Sequence, residues 1–461
     1  MPLQKNQVLT LRVERLSSDG SGVAHSPDGE TVFIPGAAPG DEARVRIVKD
    51  CKRYAFGILD EVLTPSPDRI PVDCAVAGPC GGCSLRHLDY AAELRAKQEN
   101  VADAFARIGG LDVPVLPIVG SPEVSRYRNK VQFPVGVDKS GKPCIGFYAG
   151  RTHRIVPCPD CRLQPGVLNE IGNALCAFFA EKGIQPYSEE TGRGLVRHIF
   201  LRRGAHSGQI MVCLVCTRAK LPSAEELCTR LKAQFAEIST ILLNVNAKNT
   251  NVILGTETHT LYGPGYIEDT LCGVPVQLGP LSFYQVNTLA AEQLYGIAAQ
   301  YAQLTPDDLL LDLYCGMGTI GLSMAAHCRE LIGVEIVPEA IESAKANAAR
   351  MGADVAAKSR FFCADAGQAA TRLAAEGLHP DIVMLDPPRK GCDEATLSAV
   401  VRMAPRRVVY VSCNPATAAR DAAWLEQNGY HAEKVQPVDL FPRTRHCECV
   451  LSLSNFPRRE V

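Results

Sequence analysis

From about residue 305 onward the chain alternates strand and helix signals with a regularity that few folds can satisfy. The apolar strands read "LLLDLY", "ELIGVE", "SRFFC", "DIVMLD" and "RVVYVS", each followed by a helical stretch. "HAEKVQPVDL" and "HCECVLSLS" then follow one another with no helix between them. Parallel strands need long crossovers, and helices in those crossovers cover both faces of the sheet. The expectation is therefore an α/β domain over 271–461: a doubly wound, Rossmann-like sheet finished by an antiparallel pair.

Sheets of this kind bind ligands at the carboxyl ends of their strands. "LDLYCGMGTIGLSM" sets Gly316, Gly318 and Gly321 between a strand and a helix, where glycine allows a tight turn and close approach to a ligand. Glu335 ends the next strand, at the spacing where an acid accepts hydrogen bonds from ribose hydroxyls, and Asp365 is placed to meet an adenine amino group. These features alone fit a nicotinamide dinucleotide as well as S-adenosylmethionine. Asp312, on the strand before the turn, suits a ligand that carries a cation and no phosphate. "MLDPPRKG" ends the fourth strand with Asp386-Pro387-Pro388, for which a dehydrogenase has no evident use. Two prolines stiffen that loop at the sheet edge, where a planar base can be held. Together these point to an S-adenosylmethionine-dependent methyltransferase fold.

"RVVYVSCNP" ends the fifth strand on Cys413. Cysteine is often only a small core hydrophobe. At a strand end beside a methyl donor, it is also the best side-chain nucleophile for conjugate addition. Uracil carbon 5 is a weak nucleophile. Thiolate attack on carbon 6 turns the ring into an enolate whose carbon 5 accepts a methyl group, and a base must then remove the carbon 5 proton.

"SCNP", "LDLYCGMGTIGL", "FYQVN", "MLDPPRKG" and "FPRTRHCECV" together resemble the bacterial RNA uracil-5-methyltransferases that act on ribosomal or transfer RNA. The resemblance covers nearly the whole chain. It implies that Cys413 is the nucleophile and Glu448, in "RHCE", the proton-abstracting base. It further implies that Gln285, Tyr314, Thr319, Glu335, Asp365 and Asp386 bind S-adenosylmethionine, Asp386 also holding the target uracil in a catalytic role. Enzymatic rivals are the same chemistry on transfer RNA and cytosine-5 methylation. The rival from another class is an iron–sulfur RNA-binding protein with an inactive methyltransferase fold.

Nineteen cysteines in 461 residues, with no secretion signal, do not describe a disulfide scaffold. Cys74, Cys80 and Cys83, in "CAVAGPCGGC", put three thiols in one glycine-rich loop, and both zinc and an iron–sulfur cube need a fourth ligand. The loop resembles that of the 23S ribosomal RNA branch of the family, which implies a [4Fe-4S] cluster. "CPDCRLQ" offers Cys158 and Cys161 as the fourth ligand; "CRLQ" matches the family context, which implies Cys161.

Residues 3–63 alternate as short strands between glycine and proline turns, a pattern of a small five-stranded barrel. "GSGVAH" and "VFIPGAAPGDEARVRIVK" resemble the TRAM-like RNA-binding barrel fused to this family. "TPSPDRIPVD" reads as a linker, and 64–270 as a mixed α+β central domain with the cysteine loop and an RNA-binding surface. The net charge of −2 exerts no global pull on nucleic acid, so RNA binding must come from local patches. Two stretches offer phosphate contacts: "RYRNK" (Arg126, Arg128, Lys130), with Tyr127 as a stacking surface, and "RHIFLRR" (Arg197, Arg202, Arg203). The target base must leave its stack to reach Cys413, so a looped RNA is the expected partner; the resemblance to the ribosomal branch of the family implies 23S ribosomal RNA. No apolar run reaches membrane-spanning length and "MPLQKNQVLT" has no signal-peptide core, so a cytoplasmic monomer without membrane contact is expected. The tail "NFPRREV" is expected to be loose.

Overall fold

The computed structural model describes residues 3–150 and 152–455; the tail from 456 lies outside the described residues. The amino-terminal strands β1 (Val8–Leu16), β2 (Ser21–His25), β3 (Thr31–Pro35), β4 (Glu42–Asp50) and β5 (Tyr54–Thr64) close into a barrel in the order β1-β2-β3-β5-β4. Their alternation supplies its interior: Leu11, Val13, Val32, Ile34, Val45 and Ile47 are buried in one core. A Cβ at Gly57 would stand 2.3 Å from Val45 Cγ1, so this strand needs glycine there.

Asp41 pins the barrel to the linker that follows. It is fully buried and accepts from the backbone N–H groups of Ala38 (2.6 Å) and Ser66 (2.9 Å) and from the Arg69 guanidinium (2.7 Å).

Residues 130–262 form a second sheet in the order β12-β11-β10-β9-β6-β7-β8, with strands β6 (Lys130–Val137), β7 (Pro143–Tyr148), β8 (Ile155–Pro157), β9 (Val196–Arg203), β10 (Ile210–Cys216), β11 (Ile238–Val245) and β12 (Glu257–Tyr262). Before it lies α1 (Tyr90–Asp103), capped by Asp89; α2 (Gly166–Glu181) and α3 (Ala224–Gln234) pack on one of its faces. The expected β9–β10 hairpin is present, with Val212 opposite Leu201. The opposite face, with Phe200, Met211 and Leu242, is buried in one core with a β-hairpin, β13 (Ile267–Leu271) and β14 (Val274–Leu278), and with the following helix α4 (Thr288–Ala302). This second sheet and the carboxyl-terminal domain therefore share a core. Val101 of α1 and Phe105 likewise join Leu385, Val408 and Tyr410 in a second shared core.

The carboxyl-terminal sheet has the order β17-β16-β15-β18-β19-β21-β20. Its strands are β15 (Leu309–Leu313), β16 (Glu330–Glu335), β17 (Ser359–Cys363), β18 (Ile382–Leu385), β19 (Arg407–Ser412), β20 (His431–Val438) and β21 (Glu448–Ser454). The crossovers carry α5 (Thr319–Met324), α6 (Pro338–Arg350), α7 (Ala353–Lys358), α8 (Ala366–Ala375), α9 (Glu394–Met403) and α10 (Pro415–Gln427). Strands β15 to β19 run parallel and β21 runs antiparallel between β19 and β20, which is the expected architecture. Residues Val115 and Val119 bridge to Val435 and Val438, so the segment after α1 extends the sheet past β20. No described helix is long and apolar enough to cross a membrane.

Burial raises the Asp41 carboxyl, but the Arg69 guanidinium and the two amides outweigh it and hold the group below its usual range. The stability it contributes is therefore present at neutral pH and lost as pH falls through its lowered folded value. We predict that Asp41→Ala lowers hydrogen-exchange protection of the β4 and linker amides by about 3 kcal/mol at neutral pH, leaving the β15–β19 amides unchanged. Equal protection in the variant would show that Asp41 holds nothing together.

Candidate active site

Five sequence positions meet at one edge of the carboxyl-terminal sheet because β15 to β19 all end there. Glu335 closes β16, Asp365 follows β17, Asp386 follows β18, Cys413 follows β19, and the glycine turn follows β15. The strand order reverses between β15 and β18, which opens the crevice that such sheets use for ligands. Glu448 reaches this edge by a different route. Antiparallel β21 begins where the parallel strands end, and its register pairs Ser412 with Cys449, so Glu448 stands beside Cys413.

The glycine turn is built as its sequence requires. Gly318 has φ +80°, and a Cβ on Gly321 would lie 2.8 Å from Asp312 Oδ2. That oxygen instead accepts the Gly321 N–H at 3.0 Å, while Asp312 Oδ1 is buried with no partner. Glu335 accepts from the amides of Gly316 (3.2 Å), Ile336 (2.9 Å) and Val337 (3.0 Å), which fixes its carboxylate at the mouth of the turn. Asp365 caps α8 through the Gln368 N–H at 3.1 Å. Thr319 is buried at the start of α5. Tyr314 adopts a left-handed φ of +67°, and its hydroxyl meets Thr396 Oγ1 at 3.3 Å. Gln285 reaches the buried Tyr295 hydroxyl, which also meets Thr319 and lies near Asp386.

Acids dominate this crevice. Burial pushes Asp312 up to about 8 despite the Gly321 amide, with Asp386 and Glu335 adding to the rise. Burial pushes Asp386 up to about 7. Burial, and then the Asp386 charge, push Glu448 up to about 8, while Arg389 pulls it back. Several acids with one nearby cation, Arg389, and one orphaned carboxylate oxygen on Asp312 fit a positively charged ligand such as a sulfonium. Burial and the charges of Glu448 and Asp386 also raise the Cys413 thiol, opposed by the charge of the nearby Arg389 guanidinium.

The cysteine motifs converge elsewhere. Cys74, Cys80, Cys83, Cys158 and Cys161 all line one cavity of about 200 Å³, together with Arg86, Arg128 and Lys130. Among the described residues, no group of three or more His, Cys, Asp or Glu stands where it could hold a metal ion. The cationic lining suits thiolates. Arg86, only 4% exposed, and Arg128 each bury an Nε without a partner. Cys161 is held down to about 7 by the Cys158 S–H, by the Leu163 amide and by Arg86 and Arg128, against its burial.

This convergence corrects the expected RNA surface. Tyr127 is 6% exposed and donates to Pro442 O at 2.9 Å, so it offers no stacking face. Arg126 donates to Cys161 O at 2.7 Å, and Arg128 and Lys130 face the cysteine cavity. Arg197 is buried and donates to Asn246 O at 3.1 Å; Arg202 is buried and donates to Gly279 O and Ser282 O, each at 2.7 Å. The reason is that β9 is an interior strand covered on both faces, so Arg197 and Arg202 tie loops rather than track phosphates, while Arg203, at the strand's end, is only partly buried.

Two site residues escaped the sequence reading. Tyr295 gave no local signal, since it lies inside an amphipathic helix. Arg389 was visible in "DPPRKG", but its partner Cys413 is distant in sequence. Asn414 Nδ2 (3.0 Å), from the N-cap of α10, and Thr417 Oγ1 (3.3 Å), from its first turn, donate to the Arg389 carbonyl, which places this loop against the cysteine. We predict that Arg389→Met raises the Cys413 thiol further. Iodoacetamide labelling of Cys413, followed by peptide mass spectrometry, should slow about tenfold at pH 7 and recover as pH rises. An unchanged labelling profile would make Arg389 a solvated side chain.

Comparison with known proteins accounts for this arrangement. Residues 207–456 match the tRNA (uracil-5-)-methyltransferase family, and residues 2–59 match the TRAM domain. The chain is 43% identical over 457 residues to an uncharacterized RNA methyltransferase of Halalkalibacterium halodurans, covering 98% of this chain and 99% of that one. It is 42% identical over 455 residues to one of Listeria monocytogenes, covering 98% of each. The crystal structure of the Pyrococcus abyssi tRNA (uracil-54, C5)-methyltransferase in complex with S-adenosyl-L-homocysteine superposes with a TM-score of 0.77 and 27% identity, over 97% of this chain and 100% of that one. A TRAM barrel, a shared central sheet and a methyltransferase sheet with a cysteine at its edge thus have one explanation: the chain belongs to the tRNA (uracil-5-)-methyltransferase family, and is by that membership an S-adenosylmethionine-dependent RNA methyltransferase.

Proposed function

We propose that this protein methylates carbon 5 of a uridine in RNA through a covalent bond between Cys413 and carbon 6 of the base. The observation that carries this reading is the register that sets Glu448 beside Cys413, with Asp386 and Arg389 at the same edge. S-adenosylmethionine supplies an electrophilic methyl group on a sulfonium; Gln285, Tyr314, Thr319, Glu335, Asp365 and Asp386 are the residues that would hold it. Asp312 supports a cationic ligand there through its orphaned oxygen.

Arg389 favours the Cys413 thiolate, which adds to carbon 6 and moves the ring's electrons toward carbon 5. Asp386 orients the ring. Once carbon 5 has accepted the methyl group, Glu448 takes its proton, the ring double bond re-forms and Cys413 leaves as thiolate. A base pushed up to about 8 is strong enough for this proton, and it is available in rising proportion as pH increases toward that value.

We propose large-subunit ribosomal RNA as the substrate and the cytoplasm as the place of action. The ribosomal reading rests on the cysteine loop's resemblance to that branch of the family. A transfer RNA substrate is the second reading, favoured by the named substrate of the Pyrococcus enzyme. The fused barrel does not separate them, because that enzyme aligns over 97% of this chain. Mapping 5-methyluridine in ribosomal and transfer RNA from a strain lacking the protein decides between the two.

The cysteine cavity is proposed to hold a [4Fe-4S] cluster on Cys74, Cys80, Cys83 and Cys161. Support comes from the shared cavity and its cations.

Three expected outcomes test these readings. Glu448→Gln should accumulate an RNA adduct that survives a denaturing gel in the presence of S-adenosylmethionine, with turnover down at least about a thousandfold, whereas Cys413→Ala should form none. Wild-type turnover should rise from pH 6 to pH 8 as Glu448 loses its proton; adduct formation by Cys413→Ala would refute the scheme. Protein purified without oxygen should be brown with about four irons per chain. One zinc and no sulfide would overturn the cluster, and loss of iron in Cys158→Ser but not in Cys161→Ser would move its fourth ligand.

A further inference from the structure

The segment between β20 and β21, residues 439–447, carries Glu448 at its end and is held by buried charges that the chemistry above does not use. Asp439 is fully buried and accepts from Lys97 Nζ at 2.8 Å, from Tyr90 Oη at 3.0 Å and from the Phe441 amide at 3.0 Å. Lys97, 1% exposed, donates further to Glu93 Oε1 at 2.7 Å and to Phe441 O at 3.2 Å. Glu93, also fully buried, accepts the Arg443 amide at 2.7 Å, and the Arg443 guanidinium donates to Leu88 O at 2.7 Å. Arg443 has φ +68°, so the chain turns sharply at the point where these contacts meet.

Two more straps come from distant parts of the chain. The amides of Ser84 and Leu85, directly after Cys83, donate to Arg443 O at 3.0 and 3.1 Å, and the Tyr127 hydroxyl donates to Pro442 O. By contrast, Cys413 is placed by β19 and by α10, and the Arg389 loop by α10, without any of these groups. A buried ion pair is weak evidence of stability, because desolvation offsets its attraction; removing one partner strands the other. What such a network does well is fix one geometry, here that of a loop that leads directly into Glu448.

We propose that Lys97, with Glu93 and Asp439, is a positioning device for Glu448: it holds the 439–447 loop so that the base reaches carbon 5, and it serves proton removal rather than thiolate addition. The proposal rests on the roles given above to Cys413 and Glu448. It separates two steps that a general loss of structure would impair together.

The test compares wild type, Lys97→Met and Tyr127→Phe, the second removing one hydroxyl at the loop and keeping the ring. RNA carrying 5-fluorouridine, with S-adenosylmethionine, captures the enzyme after addition and methylation, because fluorine occupies the place of the departing proton. Both variants should be captured at wild-type rate. On ordinary RNA, Lys97→Met should turn over at least about tenfold more slowly and accumulate denaturation-resistant adduct, and Tyr127→Phe should show the same pattern more weakly. Hydrogen exchange of the 439–447 amides should quicken in Lys97→Met while that of β15–β19 does not. Capture falling in step with turnover, or exchange quickening across the whole sheet, would make the network ordinary scaffolding. Unchanged turnover and exchange would also overturn the proposal. Failure of wild type itself to be captured would instead overturn the covalent mechanism, and the exchange measurement would still decide whether Lys97 holds the loop.

Discussion

The arrangement of the active edge depends on one strand running the wrong way. If β21 were parallel like its neighbours, its first residue would lie at the opposite edge of the sheet, far from every other site residue. Because it is antiparallel and lies between β19 and β20, its start coincides with the end of β19, and Glu448 meets Cys413. The register matters as much as the direction. A slip by a single residue would turn Glu448 to the other face of the sheet. Seven consecutive buried residues in β21 resist such a slip, as does the β20 ladder on its other side.

Around that pair the protein gathers carboxyl groups and gives them few partners. The contrast with Asp41 shows that the residue type does not decide the outcome. Asp41 is buried with a guanidinium and two amides and stays below the usual range, whereas Asp312, with one amide, rises to about 8. Burial raises a carboxyl until donors compensate it. The crevice withholds that compensation from Asp312, Asp386 and Glu448, which leaves it suited to a cation from outside and raises Glu448 to about 8.

Several cations that the sequence suggested for the surface are turned inward. Arg197 and Arg202 hold loops by their carbonyls, Arg126 braces the Cys161 turn, and Arg86, Arg128 and Lys130 face the thiols. Counting arginines and lysines along a strand therefore overstates the surface available to RNA. The buried Lys97 belongs to the same pattern, since its two acids come from α1 and from the loop before β21.

Strand-to-helix alternation, the glycine turn, the acids at strand ends and the barrel pattern were all legible in the sequence, because each depends on residues near one another in the chain. Cys413, Glu448 and the cysteine loop could be named from local motifs and their resemblance to a known family. The sequence could not show that residues 84–130 pack against the loop before β21, or that "RYRNK" faces inward with Tyr127 buried. It also gave no sign that Arg389 would lie near Cys413, or that Tyr295 would meet Gln285 and Thr319. Those relations join segments up to several hundred residues apart, and they follow from which faces pack and which register wins. Periodicity tells a strand where its apolar side chains go. Only the packed sheet decides what stands across from them.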